Sequence, residues 1–322
     1  SGGTIYPVAI NIPQIFNSLP DHEPRKIGAY ISWVAIASTC VTSSMFLTAL
    51  APNLLAVDLI AKGTGHAITW MEWAKIMLPL MIPLFILTPW LTYVIYPPTQ
   101  KKSPEAPAWA TEELKKLGSI TFKEYLMAGL ATVALVLWIF GKELGVDATI
   151  TAISIVSIMI LSGIISWDDL LSDKAAFNVF IWFATLVALA DGLKKVGILD
   201  FIGKNSQAML SDLSLTSLII ALILLFYVLH YFFASTTAHV TALVPLFMVI
   251  ASTFIPAEQL LTFTILLAGS LGVMGIITPY GTGPSPIWYG AGYISQGKWW
   301  ALGAIFGAIY LIPIIIGVFI FI

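Results

Sequence analysis

The stretch His230-Tyr-Phe-Phe-Ala-Ser-Thr-Thr-Ala-His239, continued by Val240-Thr-Ala-Leu-Val-Pro245, lies inside an apolar run from about residue 215 to 255. That run is about twice the ~20 residues that one bilayer crossing needs. At its centre stand Ser235, Thr236 and Thr237, with a histidine on each side. This pattern predicts a helix that stops at mid-membrane depth, turns over the hydroxyls and returns. Backbone at that depth survives only where it is buried in protein or lines a watery cavity. Polar groups held there point to function by default. The hairpin therefore reads as one half of a solute-binding site.

Of 322 residues, 58% are hydrophobic and 10% charged, so a soluble domain of this length is excluded. Successive apolar runs predict an all-α, polytopic membrane protein. The net charge of −2, without a basic cluster, gives no reason to expect nucleic acid as a partner. A lone cysteine, Cys40, rules out an internal disulfide framework and reads as packing. Ser1-Gly-Gly-Thr-Ile-Tyr-Pro7 reads as the interior of an element, so an N-terminal portion is expected ahead of Ser1.

Residues 4–19 are apolar and end in the polar loop Pro20–Lys26. An apolar helix follows through 31–50 and meets Ala51-Pro52-Asn53, where proline ends the helical hydrogen-bond ladder. Apolar sequence resumes at 54–61, so this reads as one crossing made of two half-helices. Trp70 and Trp73 are expected at the headgroup level, and residues 75–96 form the next span, kinked at Pro79, Pro83 and Pro89. Residues 97–124 form a lysine-rich cytoplasmic linker by the charge bias of membrane loops. Spans are predicted at about 125–141, 148–165 and 177–193, with Ser166–Asp173 as a capped turn. An interfacial amphipathic helix is expected over 196–214. After the hairpin, residues 258–277 run into Thr278-Pro-Tyr-Gly-Thr-Gly-Pro-Ser-Pro286, which cannot remain helical. Apolar sequence returns at 287–294, which makes a second broken crossing. Trp299 and Trp300 are expected to mark an interface, and 301–322 is the last span.

Two parts of the chain share an order of parts: a hairpin limb, a helix broken at a proline, a tryptophan pair and a proline-bearing span. With the linker cytoplasmic, the two hairpins open to opposite sides. That is an inverted repeat, the architecture of secondary transporters. Accordingly, 1–96 is the C-terminal part of the first repeat and 97–124 a linker. Residues 125–322 form the second repeat, with three spans, the interfacial helix, hairpin 215–255, broken helix 258–294 and the last span.

Converging half-helix ends bring unpaired N–H groups and partial positive charge to one point, where an anion is the natural guest. The hairpin offers Ser235, Thr236, Thr237 and Thr241. The second break offers Thr278, Thr282, Gly283, Pro284 and Ser285, and the first offers Ser43, Ser44, Thr48, Pro52 and Asn53. Small hydroxyl residues also serve simple helix packing in membranes, and that reading suffices for Ser43 and Thr241 taken singly. His239, two positions past the hydroxyls, is placed to supply positive charge. His230, more than one ~3.6-residue turn before Ser235, reads as structural.

At these motifs the chain resembles the divalent anion:sodium symporter family, and within it the bacterial citrate/succinate and tartrate/succinate antiporters and the plastid 2-oxoglutarate/malate translocators. The resemblance spans the whole chain. It rests on Ser1–Pro7, on Thr42-Ser-Ser-Met-Phe-Leu-Thr-Ala-Leu-Ala-Pro-Asn53, on His230–His239, on Thr278–Pro286 and on Trp300–Gly307. The family carries a Ser-Asn-Thr motif at each hairpin tip, facing the break of the following helix. Here the second motif matches at Ser235-Thr236-Thr237 with threonine for asparagine, and the first would fall just before Ser1. The resemblance implies a multi-pass protein of the bacterial inner membrane, a homodimer, and di- or tricarboxylate as the substrate: citrate, succinate, tartrate, malate or 2-oxoglutarate. Substrate contacts are expected from Ser235, Thr236, Thr237, His239, Thr48, Pro52, Asn53, Thr282, Gly283, Pro284 and Ser285.

Thr236 lacks the amide carbonyl of asparagine, and a hard cation needs several fixed oxygens. Sodium-independent exchange is therefore expected, with sodium- or proton-coupled symport as the alternative on the same fold. No cofactor or metal is expected. An intramembrane enzyme is disfavoured by the lack of a His-Glu-x-x-His, a Gly-x-Ser-x-Gly or a carboxylate pair in the apolar runs. A channel would need polarity along a pore rather than at one point.

Overall fold

A computed structural model describes residues 2–104, 106–174 and 213–322, with residues 177, 181, 185, 188, 192, 195–197 and 201 between them. Among the described residues all regular structure is helical, and six helices are long and apolar enough to cross a membrane. The span expected over 177–193 and the interfacial helix over 196–214 lie outside the described residues for most of their length. The chain falls into two compact units. One comprises residues 1–68, 72–100 and 186–322, the other 69–71 and 101–185.

In the first unit, α1 (Gly2–Ala9) and α2 (Ile12–Ile15) lead through the polar loop to α3 (Gly28–Met45). α3 stops where Phe46 turns extended; a short 3-10 turn over Leu47–Ala49 follows, and α4 (Ala51–Thr64) starts with Pro52 in its first turn. Proline is tolerated there because a first-turn N–H has no helical partner. Gly65, at φ +77°, ends α4. α5 (Trp70–Ile95) runs unbroken through Pro79, Pro83 and Pro89. It is tied to the last helix where the Thr88 and Tyr310 hydroxyls meet at 2.8 Å, both buried.

The second unit holds α6 (Ala106–Leu117), α7 (Phe122–Leu144), α8 (Ala148–Leu161) and α9 (Trp167–Ser172). α6 lies in the stretch expected to be a linker. Alanine, glutamate, leucine and lysine are all good helix formers, and polarity alone did not reveal them. α7 opens on a reciprocal cap between Thr121 and Glu124, and α9 on the same device between Ser166 and Asp169, as the sequence predicted for that turn.

The hairpin belongs to the first unit. Its limbs are α10 (Leu215–Leu229) and α11 (Thr236–Phe254), joined by a 3-10 turn over His230–Phe232 and extended residues at Phe233 and Ser235. α12 (Ala257–Met274) is the core helix, with residues 263–274 all buried. It gives way to an irregular segment, then to α13 (Ser285–Gly290) and α14 (Gln296–Phe321). The first break thus lies at 46–50, just ahead of the expected Ala51-Pro52-Asn53, which forms the first turn of α4; the second opens after Met274 and runs to Pro284, overlapping the expected stretch.

Two tryptophans in the first turns of spans, Trp73 and Trp299, are fully buried in the protein. The Trp73 indole donates to the Ser44 carbonyl at 3.1 Å, and Trp299 packs edge-on against Trp33, centroids 5.2 Å apart. Local sequence marks a tryptophan as amphipathic; which neighbour covers it is a tertiary matter.

Candidate functional site

The hairpin tip faces the second break. Thr236 donates its hydroxyl to the Gly281 carbonyl at 3.0 Å, and His230 places Nε2 2.9 Å from the same oxygen. Because a carbonyl only accepts, His230 carries its proton on Nε2 in this arrangement. Glycine at 281 is required by close approach. A Cβ there would lie 2.8 Å from Thr278 Oγ1, 3.0 Å from His230 Nε2 and 3.1 Å from the Gly275 carbonyl oxygen.

Both breaks are bridged in the same way. At the first, Asn53 donates from Nδ2 to the Ser43 carbonyl at 2.8 Å and the Phe46 carbonyl at 3.3 Å, reaching back over the gap to the end of α3. At the second, Ser285 donates from Oγ to the Gly275 carbonyl at 3.2 Å. Asn53 and Ser285 are both fully buried. Asn53 Oδ1 and Thr278 Oγ1, also buried, have no hydrogen-bond partner. The breaks then meet each other: Ser44 Oγ accepts the Val273 N–H at 2.9 Å.

α4 and α11 form the most extensively packed helix pair among the described elements. Gly63 stands against Met248, with Met248 Cβ 3.6 Å from where a Gly63 Cβ would sit. Each of these residues lies thirteen positions past its own N-cap, Leu50 or Ser235. Extensive packing in that register requires helices running the same way, so α4 and α11 begin at one level, beside the second break.

The candidate residues fall into distinct groups. Thr236, Asn53, Thr282 and Ser285 are buried at the tip or at a break, and Pro52 is buried at the start of α4. Ser235, Thr237 and Pro284 are half-buried, and Gly283 and Thr48 are exposed. A Cβ on Gly283 would meet nothing within 4 Å. His239 is set apart: its ring is fully buried against Phe226, Phe233 and His230, at centroid distances of 4.3, 5.0 and 5.0 Å. Neither of its nitrogens has a hydrogen-bond partner. The run of aromatic residues just ahead of the hydroxyls, Phe226 and Phe233 among them, is a sequence signal of this enclosure. Gly281, whose carbonyl is the meeting point of the tip, was not singled out; its only signal was membership of the Thr278–Pro286 motif.

Three relatives, from Escherichia coli, Shigella boydii and Shigella flexneri, each carry the name L-tartrate/succinate antiporter. They are 46% identical to this chain over 315 residues, which is 98% of this chain and 64% of theirs. The chain thus spans slightly less than two thirds of the length of these relatives. The family model of the sodium:sulfate symporter transmembrane region matches residues 1–321. Together with the broken helices and the hairpin between them, that match assigns the chain to this family of membrane transporters, the divalent anion:sodium symporters.

Proposed function

We propose that the full-length protein is a secondary active transporter exchanging di- and tricarboxylates across the bacterial inner membrane, without sodium. The observation that carries this reading is the common starting level of α4 and α11 beside the second break. First-turn N–H groups lack helical partners and carry partial positive charge. Ser235, Thr237 and Thr282 add hydroxyls from the tip and the second break, while Asn53, Thr236 and Ser285 shape the place through donors already bound to the Ser43, Phe46, Gly281 and Gly275 carbonyls. Such a place suits carboxylates without any metal or cofactor. The 46% identity to proteins named as L-tartrate/succinate antiporters supports the same substrate class.

Sodium independence draws support from Gly281. Its carbonyl oxygen has two lone pairs, and Thr236 and His230 occupy both. That oxygen is then withdrawn from the set of ligands a hard cation needs. Bound substrate would neutralise the positive field and let the hairpin and broken helices move together across the membrane. An empty site would stay in place, which makes the exchange obligatory. The proposal takes the working unit to be a homodimer in the bilayer, as the family resemblance implies.

A proton-coupled symporter is the second reading. It is favoured by one observation, the buried pair His230 and His239 with ring centroids 5.0 Å apart.

The test uses full-length protein in proteoliposomes that are preloaded with succinate or left empty, with and without a sodium gradient. Exchange predicts uptake of labelled succinate into preloaded vesicles only, at a rate indifferent to sodium. Sodium-driven uptake into empty vesicles would refute it, and uptake into empty vesicles driven by a proton gradient would select the second reading.

A further inference from the structure

The last turns of the two broken helices touch at Ser44. This residue, one before the end of α3, is fully buried and takes the Val273 N–H on its hydroxyl. A Cβ on Gly272 would sit 2.4 Å from the Ser44 nitrogen and 2.6 Å from the Ser43 carbonyl carbon, so only glycine lets the two backbones meet. The crossing is held from both sides. Trp73 donates to the Ser44 carbonyl at 3.1 Å, and Tyr227 donates to the Val273 carbonyl at 3.3 Å.

Each half of the candidate site hangs from this crossing by one further bond. Asn53 reaches Ser43, the neighbour of Ser44. Ser285 reaches Gly275, two residues past Val273. The shortest hydrogen-bonded route from Asn53 to Ser285 passes through the bond between Ser44 and Val273, beside the packing of α4 against α11 and α12. Close-packed interiors are barely compressible and transmit strain, so the spacing of the two halves follows the spacing of this contact.

We propose that Ser44 is a positioning residue that sets the distance between the two halves of the site, and with it the length of dicarboxylate accepted. This deepens the transporter reading above and rests on it. A diacid holds its carboxylates apart by its carbon chain. A site with one half on each repeat measures that length through whatever fixes the repeats against each other. Ser44 itself does not contact the substrate; it acts through Asn53 and Ser285.

The test is exchange of labelled succinate by the full-length protein in proteoliposomes, with unlabelled malonate, succinate, glutarate and adipate as competitors. Ser44→Ala and Ser44→Cys are compared with the unsubstituted protein, and thermal unfolding is followed in parallel. Ser44→Ala is expected to narrow the preference for succinate over glutarate by about fivefold, the worth of one net buried hydrogen bond, while both variants stay folded. Sulfur is a weaker acceptor, so Ser44→Cys should move the ratio the same way by less. An equal loss for all four diacids, or loss of folding in both variants, would assign Ser44 to stability alone and overturn the proposal. If the unsubstituted protein exchanges no diacid, the transporter reading fails first and removes the basis of this one.

Discussion

Asn53 and Ser285 occupy the same place in the two helix breaks, each donating a side-chain hydrogen bond to a carbonyl ten residues upstream, Ser43 or Gly275. Each follows a proline and closes the gap in its own broken helix. Asn53 makes two such bonds and Ser285 one. Removing a buried partner costs about 1–3 kcal/mol for each group left unsatisfied. Asn53→Ala is therefore expected to lower the Tm more than Ser285→Ala, with exchange reduced in both. A larger loss from Ser285→Ala, read by thermal unfolding in detergent, would contradict the assignment.

The glycines of the second break should respond in opposite ways. Gly281→Ala places a methyl against Thr278, His230 and the Gly275 carbonyl, at 2.8–3.1 Å. Overpacking of this kind costs about 1–3 kcal/mol, and here it also displaces the carbonyl that holds the hairpin tip. Lower Tm and loss of exchange are expected. Gly283→Ala meets open space, so its Tm should match the unsubstituted protein while KM for succinate rises.

His239 is buried with both ring nitrogens unpartnered. A buried polar group without a partner costs about 1–3 kcal/mol, and phenylalanine fits an aromatic cluster without that cost. His239→Phe is expected to raise the Tm and, if His239 contributes to substrate binding as its place beside the hydroxyls suggested, to weaken exchange. Unchanged exchange together with a higher Tm would reduce His239 to a packing residue.

In the second unit, two exposed carboxylates cap helices. Asp147 accepts from the Thr149 and Ile150 N–H groups, and Asp169 from the Ser166 N–H and hydroxyl. Those bonds hold both carboxyls below their usual range. A pKa lower in the folded than in the unfolded state means the stabilisation is present above the ordinary value, about 3.9. It is lost as pH falls through the lower folded value. Amide-exchange protection at Thr149 and Ser166, taken relative to the intrinsic rate at each pH, should fall below about pH 4 and stay flat between neutral pH and that point. Asp147→Asn and Asp169→Asn should shift this acid response in their own helix only.

Much of the site was legible because its signals are local. Pro52 fits only the first turn of a helix and the prolines and glycines of 278–286 cannot continue one, and the breaks stand just ahead of Pro52 and across 275–284. The three hydroxyls at 235–237 interrupt an apolar run; the turn stands just ahead of them at 230–235, and Ser235 caps the returning limb. Prolines alone were not decisive. Pro79, Pro83 and Pro89 lie inside one continuous helix, because unwinding a span in lipid would leave more backbone groups unpaired than the prolines do. Lysine-rich polarity at 97–124 concealed α6, since charge describes solvation and not backbone conformation.

By itself the sequence determined the helical membrane class, the two breaks, the hairpin and the family, because apolar length, proline and glycine act within a few residues. Tertiary structure alone decided that Ser44 meets Val273 across 229 positions, that Trp73 turns inward, and that His230 and Thr236 converge on Gly281. Those relationships depend on which helices pack together and in what register, and no local pattern encodes them.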